Sequence, residues 1–165
     1  MSEHIEWLQV LDYSSKGVIM RRLVLLIMLL VPLFASAQEE QLRKIYDTYQ
    51  QKPGFTTVQL SKEMLRQMGV KSGIETMLAI STEDKDKIAD FCNDVQQYLS
   101  LQQTVMSFVN DGKQVSIHRC DTTGNGKWMT RIFIFTRSDS SAIFITLKGM
   151  DIKVENAIEM ITTSK

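Results

Sequence analysis

His118 and Cys120 stand two apart, a spacing that on a β-strand sets an imidazole and a thiol on one face, as a cysteine nucleophile and its base require. No third residue nearby is placed to orient the imidazole, so the pair reads as two ordinary strand side chains. Asp121, Thr123, Asn125 and Gly126 put oxygen ligands at alternate positions before a glycine, as the start of a calcium loop does. The twelfth position is Ile132, where a bidentate carboxylate should stand, so a polar connection between strands is expected instead. His118 is the only histidine after residue 37, which excludes a histidine-rich metal site. Trp128 beside Lys127 and Arg131 could stack on a sugar or a base, but a single aromatic at a strand start more commonly covers the rim of a core. Met64, Met68, Met77, Met106 and Met129 could form an adaptable binding surface. Their spacing favours core filling. No catalytic residue, cofactor site or metal site is named by these patterns.

The elements that would position these groups follow from periodicity. Leu42, Ile45, Tyr46 and Tyr49 give a helix over 39–50 that stops at Lys52-Pro53-Gly54. Residues 55–60 alternate as a strand. Ser61 caps a short helix with Met64, Leu65 and Met68 inward, closed by Gly69. A second strand covers 77–80, and Ser81 or Thr82 caps a helix whose stripe is Ile88, Phe91, Cys92, Val95 and Leu99.

The C-terminal half changes period. Strands at 105–109 and 115–120 flank Asp111-Gly112, the chemistry of a type I′ turn. With those two residues as the loop, Phe108 faces Val115 and Met106 faces Ile117. A second hairpin joins 128–136 to 142–147 across Ser138-Asp139-Ser140. It is expected to set Phe133 and Phe135 against Ile145 and Ile143, with Ile132, Ile134 and Phe144 on the opposite face. Both faces are apolar, so helices would cover one, and a helix, a partner or a ligand the other. Ile132, Ile134 and Phe144 are therefore the candidate interaction face. Asp151 caps a last helix carrying Ile152, Ala157, Ile158 and Ile161. The fold class is α+β: a single mostly antiparallel β-sheet with a C-terminal four-stranded meander and helices packed on it.

Met20-Arg21-Arg22, the apolar run Leu23 to Phe34 and the small residues Ala35 and Ala37 make an export signal, with cleavage expected before Gln38. The run is short for a membrane span, so a periplasmic or secreted product is expected, with an uncleaved inner-membrane anchor as the alternative. Residues 1–19 carry Glu3, Glu6 and Asp12, unsuited to a signal, and read as an upstream extension. Residues 20–37 are the signal peptide and 38–165 a single exported domain. Of nineteen basic and nineteen acidic side chains, three of each precede Gln38, leaving sixteen of each. That balance gives no field to attract nucleic acid or anionic lipid. No cysteine follows the signal, so no stable membrane anchor is expected after cleavage. An oxidising compartment raises a Cys92–Cys120 disulfide as a possibility. Helical spacing places Cys92 among buried apolar residues, which favours separate thiols.

Gly54 to Met64, Leu78-Ala79-Ile80-Ser81, Asn110-Asp111-Gly112-Lys113 and Ile143 to Gly149 resemble the domain of unknown function family 4252, small exported proteins and lipoproteins of Bacteroidota. The resemblance spans about residues 41–160. It implies envelope localisation and supplies no active site. The expected function is a non-enzymatic module binding another envelope protein, itself or an apolar ligand. An exported hydrolase is the rival, and the organisms implied by the resemblance add a regulator of an envelope stress or sigma-factor circuit.

Overall fold

A computed structural model describes residues 38–70, 73–124, 126–156 and 158. The chain divides into Met1–Glu40, of which only 38–40 are described, and a compact unit, Gln41–Lys165. The expected export signal, with Ala35 and Ala37, and the expected 1–19 extension lie outside the described residues. Gln38, the first described residue, lies in a helix. Among the described residues no helix is long and apolar enough to cross a membrane.

Helix α1 occupies residues 38–49. It is followed by β1 (Phe55–Ser61), α2 (Lys62–Gln67), β2 (Ile74–Thr82), α3 (Lys85–Leu99), β3 (Gln103–Asn110), β4 (Lys113–Gly124), β5 (Lys127–Arg137) and β6 (Ala142–Gly149). The six strands form one sheet in the order β1-β2-β6-β5-β4-β3, and every neighbouring pair is antiparallel. The fold is α+β.

Two cores lie on opposite faces of the sheet. On one face Leu42, Ile45, Tyr46 and Tyr49 of α1 and Phe91, Cys92, Val95, Tyr98 and Leu99 of α3 pack with Ile80, Phe133, Phe135 and Phe144. Rings dominate there: Phe133 stacks on Phe144 at 6.1 Å and meets Tyr98 edge-on at 5.3 Å. Each such fully buried ring contributes roughly 2 to 3 kcal/mol of apolar transfer. The Tyr46 hydroxyl, sunk in this core, donates to Thr146 Oγ1 at 2.8 Å, and burial pushes its pKa up. On the other face Leu65 of α2 and Ile152 pack with Ile74, Val115, Ile117, Ile132, Ile134 and Leu147, flanked by half-buried Val154 and Ile158.

Several boundaries differ from expectation. The N-cap of α3 is Asp84, which accepts from Asp86 N–H and is held at low pKa by the ammonium of Lys87. Ser81 and Thr82 belong to β2. The Thr82 hydroxyl donates to the Gly54 carbonyl at 2.8 Å and accepts from Asp84 N–H at 3.2 Å. The cap of α2 is Ser61, as expected, accepting from Met64 N–H. That helix has only six residues and buries Leu65 alone, so Met64 and Met68 stay exposed rather than filling the core. Asp151 is not a helix cap: it takes a left-handed φ of 51°, and helix is described at 154–156 and 158. Ala157's side chain and Ile161 lie outside the described residues.

The second hairpin departs most. Arg137 pairs with Ala142, so the loop is the four residues Ser138 to Ser141, one more than the serine-aspartate-serine reading. One added residue shifts β6 by one position and exchanges its faces. Phe144 therefore opposes Phe135, Ile145 opposes Ile134, and Leu147 opposes Ile132.

Candidate functional site

Ile132 and Ile134 lie on the α2 face, and Phe144 lies on the α1 and α3 face. The three do not form one surface. They are also core residues, 0%, 2% and 0% exposed, so neither face of the second hairpin's centre is bare. This corrects the candidate interaction face: the extra loop residue moves Phe144 across the sheet, and α2 with the C-terminal segment covers the isoleucines.

The chemical candidates separate in the same way. His118 is buried on β4 opposite Phe133. Its Nδ1 lies 3.3 Å from the Thr104 hydroxyl of β3, and burial lowers its pKa. Cys120 shares its face and is half-buried beside the aromatic core. Neither cysteine is in a disulfide. Cys92 borders Arg137, whereas Cys120 opposes Arg131. Those two arginines are separated along β5 by about 20 Å at the rise of a β-strand, too far for a disulfide in this fold. Burial raises the pKa of the Cys92 thiol, the direction that lowers reactivity.

Asp121 and Thr123 belong to β4, paired with Thr130 and Trp128, so they do not open a metal loop. The Asp121 carboxylate accepts from the Arg119 guanidinium at 2.9 Å and from the Thr130 hydroxyl, also at 2.9 Å. The chain turns after Gly124, and Gly126 has a φ of 70°. Asn125 lies outside the described residues. Among the described residues no three His, Cys, Asp or Glu side chains gather as a metal site. Trp128 is 73% exposed, a correction to the expected rim role. By strand alternation Lys127 and Arg131 project to the opposite face from Trp128, so the indole and the cations do not share a stacking surface.

Sequence reasoning missed the outer edge of β3. All eight residues of this strand are exposed, including Val105, Met106, Phe108 and Val109. It pairs with β4 in the expected register, Met106 with Ile117 and Phe108 with Val115. The turn is made by Asp111 and Gly112 at φ 50° and 73°. Met106 and Phe108 thus continue the buried row of Ile134, Ile117 and Val115 outward, beyond the helical cover. The available signal is that β3 is uncharged while closing one end of the meander; Met106, expected to fill the core, is 42% exposed.

On its other face β3 borders a shallow groove of about 300 Å³ lined by Thr104, Ser107, Ser116, His118, Gln114 and Gln96 among others. The groove is polar-floored because β4 presents Ser116 and His118 between its buried valine and isoleucine. α1 and α3 cover the sheet's interior strands and leave β3 bare. At the far edge, β1 exposes a single large apolar side chain, Val58. Compared with known proteins, the chain matches no family model and no curated sequence.

Proposed function

We propose that this chain is a non-enzymatic binding module of the cell envelope that engages another polypeptide, of a different protein or of its own kind, through the open edge of β3. The observation that carries this reading is a strand exposed along its whole length, bearing four exposed apolar side chains and neither charge nor proline. Soluble proteins generally blunt such edges with lysine, proline or a covering segment, because unpaired N–H and C=O groups recruit another strand. A bare edge of this composition suits strand addition, in which backbone hydrogen bonds supply affinity and alternate side chains supply selectivity. The export signal read at residues 20–37 supports placing the module in the periplasm or outside the cell. The even charge balance supports a protein partner over nucleic acid.

A photo-reactive amino acid at Phe108, introduced in producing cells, is expected to give a covalent protein adduct, whereas the same group at Met68 on α2 gives none. Equal labelling at both positions, or none at Phe108, overturns the edge reading. Intact-mass analysis of the same preparation is expected to show a chain starting at Gln38. A product that retains Met20 contradicts cleaved export.

A further inference from the structure

We infer that the occupant of the β3 edge is a second copy of this chain, added antiparallel about a two-fold axis through Ser107. This rests on the edge-strand reading above and names its partner. The strand reads Val105-Met106-Ser107-Phe108-Val109, which is self-complementary when reversed. Centred on Ser107, an antiparallel copy sets Ser107 against its own equivalent, Met106 against Phe108 and Val105 against Val109, each mixed pair occurring twice. Every apolar side chain meets an apolar side chain, and the serines meet each other.

The backbone agrees with this register. A two-residue hairpin closes on a hydrogen-bonded pair, here Asn110 with Lys113, and such pairs then alternate along the ladder at Phe108 and Met106. Ser107 and Val109 therefore direct their N–H and C=O groups to the open edge. Val105 has no Cα partner on β4, where the register shifts between Thr104 and Met106, and alternation from Met106 would direct its backbone groups to the outer partner opposite Val109. A bulge usually ends pairing at an edge; this one falls where the two-fold register needs an outward residue. No charge is desolvated, because β3 contains none. On the α2 face, Met106 and Phe108 of both copies would close the apolar row that now ends in solvent.

An eight-residue edge with its side chains buries on the order of 1,000 Å² in total, at the low end for specific interfaces. The dimer is therefore expected to be weak, with a micromolar Kd.

The test uses the chain as purified from producing cells. Sedimentation of the wild type is expected to show a reversible monomer–dimer equilibrium. Ser107→Lys, which sets two like charges face to face at the axis, weakens it about tenfold or more without changing the melting temperature. Under mild oxidation Ser107→Cys is expected to form a disulfide dimer, since directly paired Cα atoms lie about 5.5 Å apart. Val109→Cys alone does not, whereas a mixture of Val105→Cys and Val109→Cys does. A wild type monomeric at all concentrations, a dimer indifferent to Ser107→Lys, or equal cross-linking at 107 and 109 overturns self-pairing. If the chain stays monomeric while Ser107→Lys abolishes the Phe108 adduct with a different protein, self-pairing falls and the edge reading stands. If that adduct persists in Ser107→Lys, both fall.

Discussion

The Ser138 hydroxyl accepts the backbone N–H of Ser141 at 3.1 Å, and Ser138 N–H donates back to the Ser141 carbonyl at 2.8 Å. These two bonds close a four-residue loop, and the loop length decides which face of the sheet each β6 side chain occupies. Phe144 joins the rings under α1 and α3, and Ile145 and Leu147 join the isoleucines under α2.

Both apolar faces are core as a result, so aspartate is expected to be tolerated on neither. Ile134→Asp and Phe144→Asp each place an unpaired carboxylate where 2% and 0% of the side chain is exposed, a cost of about 3 kcal/mol or more. Circular dichroism melts should show both variants largely unfolded. A folded Ile134→Asp protein would mean that α2 and the C-terminal segment do not cover that face.

Gly112→Val is expected to destabilise by about 1 to 3 kcal/mol through backbone strain alone. A Cβ at this position meets nothing within 4 Å, and the left-handed φ of 73° is the whole difficulty. Denaturant titration decides the matter. An unchanged midpoint would place the β3–β4 turn elsewhere and remove the register on which the outer edge depends.

Gly149→Ala should fail for the opposite reason, steric rather than conformational. A Cβ there would sit 2.1 Å from the Gly73 carbonyl oxygen and 2.8 Å from Ile74 Cα, where β6 runs against the start of β2. Overpacking against backbone costs about 3 kcal/mol. A melting temperature equal to wild type would contradict that close approach.

The first hairpin was legible because Asp111-Gly112 specifies a turn of fixed length, and a fixed length specifies every pair from Asn110 outward. The second was not, because Ser138-Asp139-Ser140-Ser141 carries no glycine or proline to mark its ends, and a side-chain bond from Ser138 sets its length. The stripes of α1 and α3 followed from 3.6-residue spacing and are buried as expected, apart from half-buried Ile88. Met64 and Met68 misled because α2 is too short to bury more than one side chain. Asp121 and Thr123 read as part of a polar connection, yet they belong to β4, because polar residues also occupy strands at an exposed end. The open edge of β3 was hidden for a related reason: its apolar residues match those of β4, and a sequence does not show which of two matched strands lies outermost.

His118 gives the fold an acid sensitivity of definite sign. Burial holds its folded pKa below the ordinary 6.5, so its neutral form contributes stability that is fully present above 6.5. That stability is lost as pH falls from 6.5 through the folded value. The melting temperature is expected to drop over that window, and His118→Gln should flatten the drop. Identical pH profiles for the two proteins would contradict the buried neutral imidazole packed beside Thr104 and Ser116.

The claim that the β3 edge pairs with a second copy of the chain is tested most directly by amide hydrogen exchange at Ser107 and Val109, followed as protein concentration is raised. The account predicts fast exchange at both amides in dilute solution and slowing at high concentration, with Phe108, already bonded to β4, protected throughout. Fast exchange at Ser107 and Val109 at every concentration would contradict self-pairing at this edge.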